Sequence, residues 1–449
     1  MADYLSEDEA RDLAKRILGT SSADNAEVTL LSGPAGFTRF ARNQISTAAE
    51  SVDAKARLRV IFGRQSASVE FNDLSDEGIA AAVSRAEELA RLAPADPESM
   101  PLLEPQQYRK GEALFESTVA LSPAQRVEAV RAVADAADAR SLVAAGFVQK
   151  RGGSMAVANT RDLFAYHRSS LASFTTTIRT EDGKGSGWAG TTHNDWAQMI
   201  PGAELAQSAM EKAQKSAGAA PVNPGAYTVV LEPTAVGNLV QLLRFSLDAR
   251  AADEGRSFFS KKGGGTKLGD LVADERLTMF SDPADPDLLA TPFAADGTPI
   301  NKTSWIENGV LKNLAYSRYW ASRAGKEPTP FAGGMKLTGG SGSTGDLVKM
   351  VEQGLLVTRF WYIRAVDRRT MLFTGMTRDG VFLIEEGQVT KPVSNMRFNE
   401  SPMAVLNNLH AIGTPVRVVA SESGGFGAPI VVPPLIARDF HFTSVSEAV

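Results

Sequence analysis

Tyr227-Thr-Val-Val-Leu231 is the stretch of sequence on which the fold prediction rests. Its β-branched and aromatic residues, which are followed by Glu232-Pro233, are typical of a short buried strand. From Thr234, which can serve as an N-cap, apolar residues recur at helical spacing and predict a helix. Those apolar residues are Val236, Leu239, Val240, Leu243 and Leu247. We therefore expect a strand followed by a helix at this point.

The composition is that of an ordinary globular protein of 449 residues, with 43% hydrophobic and 22% charged residues. The formal net charge of −5 does not favour non-specific binding to nucleic acid. The chain has no Cys, which excludes disulfides and thiolate ligands. It shows neither an apolar N-terminal run nor a stretch of about 20 apolar residues that could cross a membrane. We expect a cytoplasmic protein with no nucleic-acid or membrane partner.

The first half of the chain mixes helix and strand signals. Ser6, and later Ser122 with Pro123 and Gln125, are typical helix starts. Gly152-Gly153 lies between two alternating runs and predicts a hairpin. Pro221 and Pro224 mark a boundary, which divides the chain into domains 1–222 and 223–449.

The second half of the chain is mostly β. Asn308-Gly309 and Glu386-Gly387 predict hairpin turns, and Leu355–Ile363 predicts a strand. The stretch Phe331–Gly345 is rich in Gly, Ser and Thr and is expected to be a loop. The fold class that follows is α+β, with a mixed α/β N-terminal domain followed by a β-rich C-terminal domain.

Four short motifs follow one another in the second half of the chain. They are Glu307-Asn-Gly-Val-Leu311, Gly354-Leu-Leu-Val-Thr358, Phe373-Thr-Gly-Met-Thr377 and Ile384-Glu-Glu-Gly387. With the strand and helix at Tyr227, their order and spacing resemble the TldD/PmbA family of two-subunit metalloproteases. The resemblance spans nearly the whole chain. It implies the family's α+β fold, a dimer, and an extended peptide bound inside the dimer by strand pairing.

In catalytic subunits of that family, the helix carries a His-Glu-x-x-x-His zinc motif, and a Cys near the C-terminus supplies a third ligand. One alignment puts Arg244, Phe245 and Ala249 at the motif positions, and another puts Val240, Gln241 and Phe245 there. The Cys position falls on or near Ser421. Because no His lies between His193 and His410, both alignments lack zinc ligands. The resemblance is therefore to the TldE (PmbA) type, which has no catalytic residue or metal of its own.

Peptide-binding residues are predicted in two places. Strand addition needs an open strand edge, which Leu355–Ile363 is expected to offer, and glycines let a peptide backbone approach closely. The second place is the glycine-rich turn from Ser421 to Gly427, in the setting Gly425-Phe-Gly-Ala-Pro429. The predicted residues are Arg359, Trp361, Ser421, Glu422, Ser423, Gly424, Gly425, Phe426 and Gly427.

The resemblance predicts a non-catalytic, peptide-binding subunit of a TldD/TldE-type zinc metalloprotease that degrades or processes unfolded peptides. Its partner would be a TldD-like subunit, and zinc is expected only in that partner. Two alternatives stay open. The chain could be a homodimeric peptide-binding protein, or a hydrolase whose chemistry does not use zinc.

Overall fold

The computed structural model describes residues 4–109, 111–331, 333–422 and 427–446. Within these ranges the chain forms ten α-helices and 19 strands, and the α+β class predicted from the sequence is confirmed. The helices are α1 Glu7–Thr20, α2 Asp76–Leu92, α3 Glu116–Val119, α4 Pro123–Asp138, α5 Gly202–Ser216, α6 Pro233–Leu243, α7 Ala249–Asp253, α8 Arg318–Ala324, α9 Thr344–Val348 and α10 Pro402–Asn407. No helix in these described ranges is both long and apolar enough to cross a membrane.

The strands divide at about residue 220. Those of the N-terminal sheet are β1 Asn25–Ala41, β2 Gln44–Phe62, β3 Gln65–Phe71, β4 Leu142–Asn159, β5 Phe164–Thr180 and β6 Ser186–His193. The later strands are β7 Gly225–Leu231, β8 Thr278–Ser281, β9 Thr303–Glu307, β10 Val310–Leu311, β11 Met335–Thr338, β12 Gln353–Asp367, β13 Leu372–Glu385, β14 Gln388–Pro392, β15 Met396–Glu400, β16 Leu409–Ile412, β17 Val416–Val418, β18 Ile430–Val432 and β19 Leu435–Val445.

The N-terminal sheet is antiparallel, in the order β3-β2-β1-β4-β5-β6. Helices α1 and α2 bury their apolar faces against one part of it, and α4 and α5 against another. Both predicted helix starts are confirmed, and each has a capping box: the Ser6 hydroxyl accepts from the Glu9 amide, and the Ser122 hydroxyl from the Gln125 amide. Each cap satisfies helix donors that would otherwise have no partner.

The predicted hairpin at Gly152-Gly153 is wrong, because β4 runs straight through both glycines. A Cβ on Gly153 would lie 2.0 Å from the Ser32 carbonyl oxygen, and one on Gly33 would lie 2.0 Å from the Gly152 carbonyl oxygen. The glycines therefore allow the backbones of β1 and β4 to approach closely, which is a known role of glycine inside a strand.

The strands after residue 220 form two sheets. One has the order β10-β9-β8-β11-β18-β17, and the other the order β12-β7-β19-β15-β13-β14. In the second sheet β12 also pairs with β13, so β12, β7, β19, β15 and β13 form a closed ring. Phe360, Phe398 and Phe440 pack against one another in its core, with ring centroids 4.8–5.5 Å apart.

Several local predictions for this half need correction, while the turns at Asn308-Gly309 and Glu386-Gly387 are confirmed. Glu232, not Thr234, is the N-cap of α6, and Pro233 is its first residue. The helix ends at Leu243 instead of continuing through Leu247. Part of the expected loop Phe331–Gly345 is strand β11, because Met335–Thr338 pairs with both β8 and β18.

Candidate functional site

A bulge between β12 and β13 sets up the central side chains of the site. Val357 pairs with Val381 and Arg359 with Arg378, so the β13 side contains one extra residue. Asp379 takes up a left-handed conformation there, with φ 57°. The Thr358 hydroxyl donates to the Gly380 carbonyl oxygen at 3.0 Å and closes the bulge. Bulges commonly re-aim side chains, and this one places the Asp379 carboxylate beside Arg359.

A second bulge lies further along β12. Trp361 pairs with Met376 and Arg364 with Thr374, and Tyr362 between them has φ 55°, which is uncommon for an aromatic residue. The Ile363 amide, which has no register partner on β13, donates to the Glu422 carboxylate at 2.6 Å. This bulge therefore fixes Glu422, and with it the start of the predicted glycine-rich turn, against β12.

A cavity of about 650 Å³ lies between the N-terminal sheet and the β12–β13 pair. Arg359, Trp361 and Glu422, three of the predicted peptide-binding residues, line it together. The opposite wall comes from the N-terminal sheet and includes Phe40, Phe147 and Trp188. We call this space the Arg359 cavity.

Arg359 is 3% exposed and is held from several sides. Its Nη1 donates to the Asp379 carboxylate at 3.3 Å, and its Nη2 donates to the Glu422 carbonyl oxygen at 3.0 Å. The guanidinium carbon lies 4.4 Å from the ring centroid of Trp188 and 5.4 Å from that of Trp361. Burial lowers the pKa of Arg359, and the negative charge of Asp379 opposes that shift.

Helix α6 is fastened to the same strand and turn by a fully buried side chain. The Asn238 amide nitrogen donates to the Ala420 carbonyl oxygen at 2.8 Å, and its oxygen accepts from the Phe360 amide at 3.0 Å. Gln241 Nε2 donates to the same Ala420 oxygen at 2.5 Å. Asn238 therefore positions β12 next to Arg359, and it was not singled out from the sequence.

A much smaller pocket, of about 60 Å³, lies beside α6. Among its lining residues are Gln241, Arg244, Ser421 and Gly427. The structure thus brings three positions of the altered zinc motif to one pocket: Arg244 from one alignment, Gln241 from the other, and Ser421. The predicted residues Ser423, Gly424, Gly425 and Phe426 lie outside the described residues.

The side chains at the motif positions do not fit zinc. Val240 and Ala249 are packed into the apolar core, Phe245 is 73% exposed, and Arg244 carries a cation. Zinc in proteins takes imidazole, thiolate or carboxylate ligands. Within the part of the chain that the structure describes, no group of three or more His, Asp or Glu residues could hold a metal ion.

The predicted open edge along Leu355–Ile363 is only partly present. Leu355–Val357 pairs with β7 on one side and β13 on the other, so that segment cannot accept another strand. Beyond it, the Phe360 and Ile363 amides bond to the side chains of Asn238 and Glu422. In that segment, side chains occupy the two backbone amides that an added strand would otherwise use.

Sequence reasoning also missed Trp188, Arg378 and Asp379, which line the Arg359 cavity. The Asp379-Gly380 dipeptide is a turn signal inside a strand pattern, and it could have indicated the bulge. Trp188 carries no such signal, because only the packing of the two halves brings it to β12.

The fold and site define a class of α+β proteins in which a long antiparallel sheet is packed against a closed ring of strands, with a cavity at the junction. Known family models match most of the chain. They are the PmbA/TldA metallopeptidase domain 1 over residues 37–90, its central domain over 116–217 and its C-terminal domain over 224–444. The chain belongs to this TldD/PmbA metallopeptidase family.

Two curated relatives are similar to part of the chain. A metalloprotease of Methanothermobacter thermautotrophicus is 25% identical over 247 residues, which are 51% of this chain and 52% of the relative. An uncharacterized protein of Methanocaldococcus jannaschii is 28% identical over 229 residues, 50% of this chain and 52% of its own. These alignments therefore span about half the length of the curated relatives.

Two solved structures match almost from end to end. A Bacteroides thetaiotaomicron protein described as a candidate modulator of DNA gyrase has a TM-score of 0.83 and 20% identity, with 98% of this chain and 99% of that one covered. TldE from Thermococcus kodakarensis has a TM-score of 0.81 and 19% identity, with 97% and 99% covered. At these identities the likeness shows the fold.

Proposed function

We propose that this chain is the non-catalytic, peptide-binding subunit of a heteromeric zinc metalloprotease that degrades or processes unfolded peptides. The observation that carries the proposal is the set of side chains at the family's zinc positions. Both alignments give residues without a metal-binding set, and the Cys position holds or adjoins Ser421. Without zinc, a chain of this family has no route to a bound water of low pKa.

The subunit role has separate support. The chain belongs to a metallopeptidase family, and its fold matches that of TldE from T. kodakarensis over 97% of its length. A chain that keeps this fold while lacking the ligands is best explained by a partner that supplies them. We propose a TldD-like, zinc-bearing subunit as that partner, and the cytoplasm as the location of the pair.

Peptide binding is supported by the Arg359 cavity. Its wall combines aromatic rings with a buried cation and with carboxylates that are held by hydrogen bonds, and ligand sites likewise combine apolar surface with polar groups fixed in place. The negative net charge agrees with a peptide, not a nucleic acid, as the ligand.

Elemental analysis tests the non-catalytic half of the proposal. Purified full-length chain, incubated with zinc and washed with a mild chelator, should retain far less than one zinc per chain. A zinc-bearing family member with the His-Glu-x-x-x-His motif, handled in the same way, is the positive control. One tightly held zinc per chain here would refute the proposal.

Affinity purification from the source cells tests the subunit half. A tagged copy of this chain should bring down a family member that carries the His-Glu-x-x-x-His motif. Recovery of this chain alone, as a self-associated dimer, would favour the homodimeric alternative instead.

A further inference from the structure

Arg359 carries a buried donor that the described residues leave unused. Its two terminal nitrogens reach Asp379 and the Glu422 carbonyl oxygen, but Nε has no hydrogen-bond partner among the described residues. A guanidinium has five N–H donors in a planar fork, and a buried donor without an acceptor destabilises the protein. Nε itself has almost no exposed surface, so what Arg359 offers to the cavity that it lines is its positive charge.

The charges around the cavity favour an acceptor that is negative. Of the described residues, the arginines Arg39, Arg179, Arg359 and Arg378 and the two acids Asp379 and Glu422 line it, so its wall has a formal charge of +2. Both acids already have other donors. Asp379 accepts from the Ser186 hydroxyl at 2.6 Å, and Glu422 accepts from the Ile363 amide.

Aromatic rings lie against two of these guanidinium groups and limit how they can turn. Arg359 lies against Trp188 and Trp361, and the Arg378 guanidinium carbon is 4.9 Å from the Trp361 ring centroid. Stacked rings hold the guanidinium planes in place, and a planar fork matches the two oxygens of a carboxylate. Phe40 and Phe147 add apolar wall, which limits competition from water.

We infer that the Arg359 cavity binds a carboxylate of the bound peptide, with Arg359 and Arg378 as its cationic partners. This inference rests on the proposed peptide-binding function and adds the chemical group that is recognised. The carboxylate can come from the peptide's C-terminus or from an acidic side chain. The two sources share one chemistry and can be separated by experiment.

Calorimetric titration of the purified full-length chain with three forms of one short, unstructured peptide tests the inference. The forms are the free C-terminal acid, its C-terminal amide, and the amide with one internal Glu. If the C-terminus is recognised, the acid should bind at least about tenfold more tightly than both amides. If a side chain is recognised, the Glu-containing amide should regain the affinity. A tenfold ratio corresponds to about 1.4 kcal/mol.

Equal affinity for all three forms would overturn the inference and leave peptide binding intact. Absence of binding for every form would instead contradict the proposed function. In that event, N-acetylalanine and its amide probe the cavity alone, and failure of the acid to bind more tightly than the amide overturns the inference as well.

Substitutions locate the effect. Arg359→Gln should abolish the preference for the carboxylate, while Arg368→Gln, which removes an exposed arginine from the β12–β13 turn, should leave it unchanged. If Arg359→Gln fails to fold, Arg378→Gln serves in its place, because that side chain is 23% exposed. A preference that survives in a folded cavity variant would place the carboxylate elsewhere.

Discussion

Replacing Asn238 with Ala should loosen the connection between α6, β12 and the segment before Glu422. Asn238 is fully buried and supplies the hydrogen-bond partner of the Phe360 amide, the residue directly after Arg359. Alanine offers neither a donor nor an acceptor and is too small to fill the space. The substitution should therefore destabilise the C-terminal half at the edge of the Arg359 cavity.

The magnitude follows from the two hydrogen bonds. A buried N–H left without a partner, here that of Phe360, costs about 1–3 kcal/mol. The Ala420 carbonyl oxygen keeps its bond from Gln241, so loss of the Asn238 donor adds only about 1 kcal/mol. The expected loss in the free energy of unfolding is about 2–4 kcal/mol. Gln241→Ala, which removes the other donor to Ala420, should cost about 1 kcal/mol or less.

Urea denaturation followed by tryptophan fluorescence measures both variants against the wild-type chain. Asn238→Ala should unfold at a clearly lower urea concentration than Gln241→Ala. If the two variants are equally stable to within about 0.5 kcal/mol, the Phe360 amide does not depend on Asn238, and our account of how α6 positions β12 is wrong.

Two further predictions concern the N-terminal sheet. His167 is buried, burial lowers its pKa to about 4, and its Nε2 has no hydrogen-bond partner in the described chain. The unfolded chain binds a proton on His167 below about pH 6.5, and the folded chain only below about pH 4. The free energy of unfolding should therefore fall by about 3 kcal/mol as pH drops through this window. Urea denaturation of His167→Leu should show a smaller fall, and an equal fall would contradict the lowered pKa of His167. Gly33→Ala should destabilise the protein by about 3 kcal/mol, because the new Cβ would lie 2.0 Å from the Gly152 carbonyl oxygen. Gly19→Ala in α1 is the control, because nothing lies within 4 Å of its new Cβ, and it should be neutral or stabilising. Thermal unfolding of both variants measures the difference.

Local signals in the sequence predicted local structure well. The helix starts at Ser6 and Ser122 and the turn at Asn308-Gly309 depend on residues within a few positions of one another, and all three are present. The hairpin prediction at Gly152-Gly153 was wrong because a glycine pair is compatible both with a turn and with a close approach of two neighbouring strands. What decides between them is Gly33, which is far away in the chain.

Only part of the candidate site could be predicted, because some of its residues are brought together by contacts between distant parts of the chain. Arg359, Trp361 and Glu422 lie on a strand and a turn that the sequence singled out, and they do line one cavity. The bulges at Asp379 and Tyr362 depend on strand register, which local patterns do not fix. Trp188 reaches the cavity only because the N-terminal sheet packs against β12–β13, a contact that no single stretch of sequence encodes.

The central claim is that this chain binds peptide but leaves cleavage to a zinc-bearing partner. The most direct test measures hydrolysis of an unfolded peptide by this chain alone, by its His-Glu-x-x-x-His partner alone, and by the two mixed in equal amounts, all with zinc present. We predict no hydrolysis by this chain alone and faster hydrolysis by the mixture than by the partner alone. Hydrolysis by this chain alone, or a mixture no faster than the partner alone, would contradict the claim.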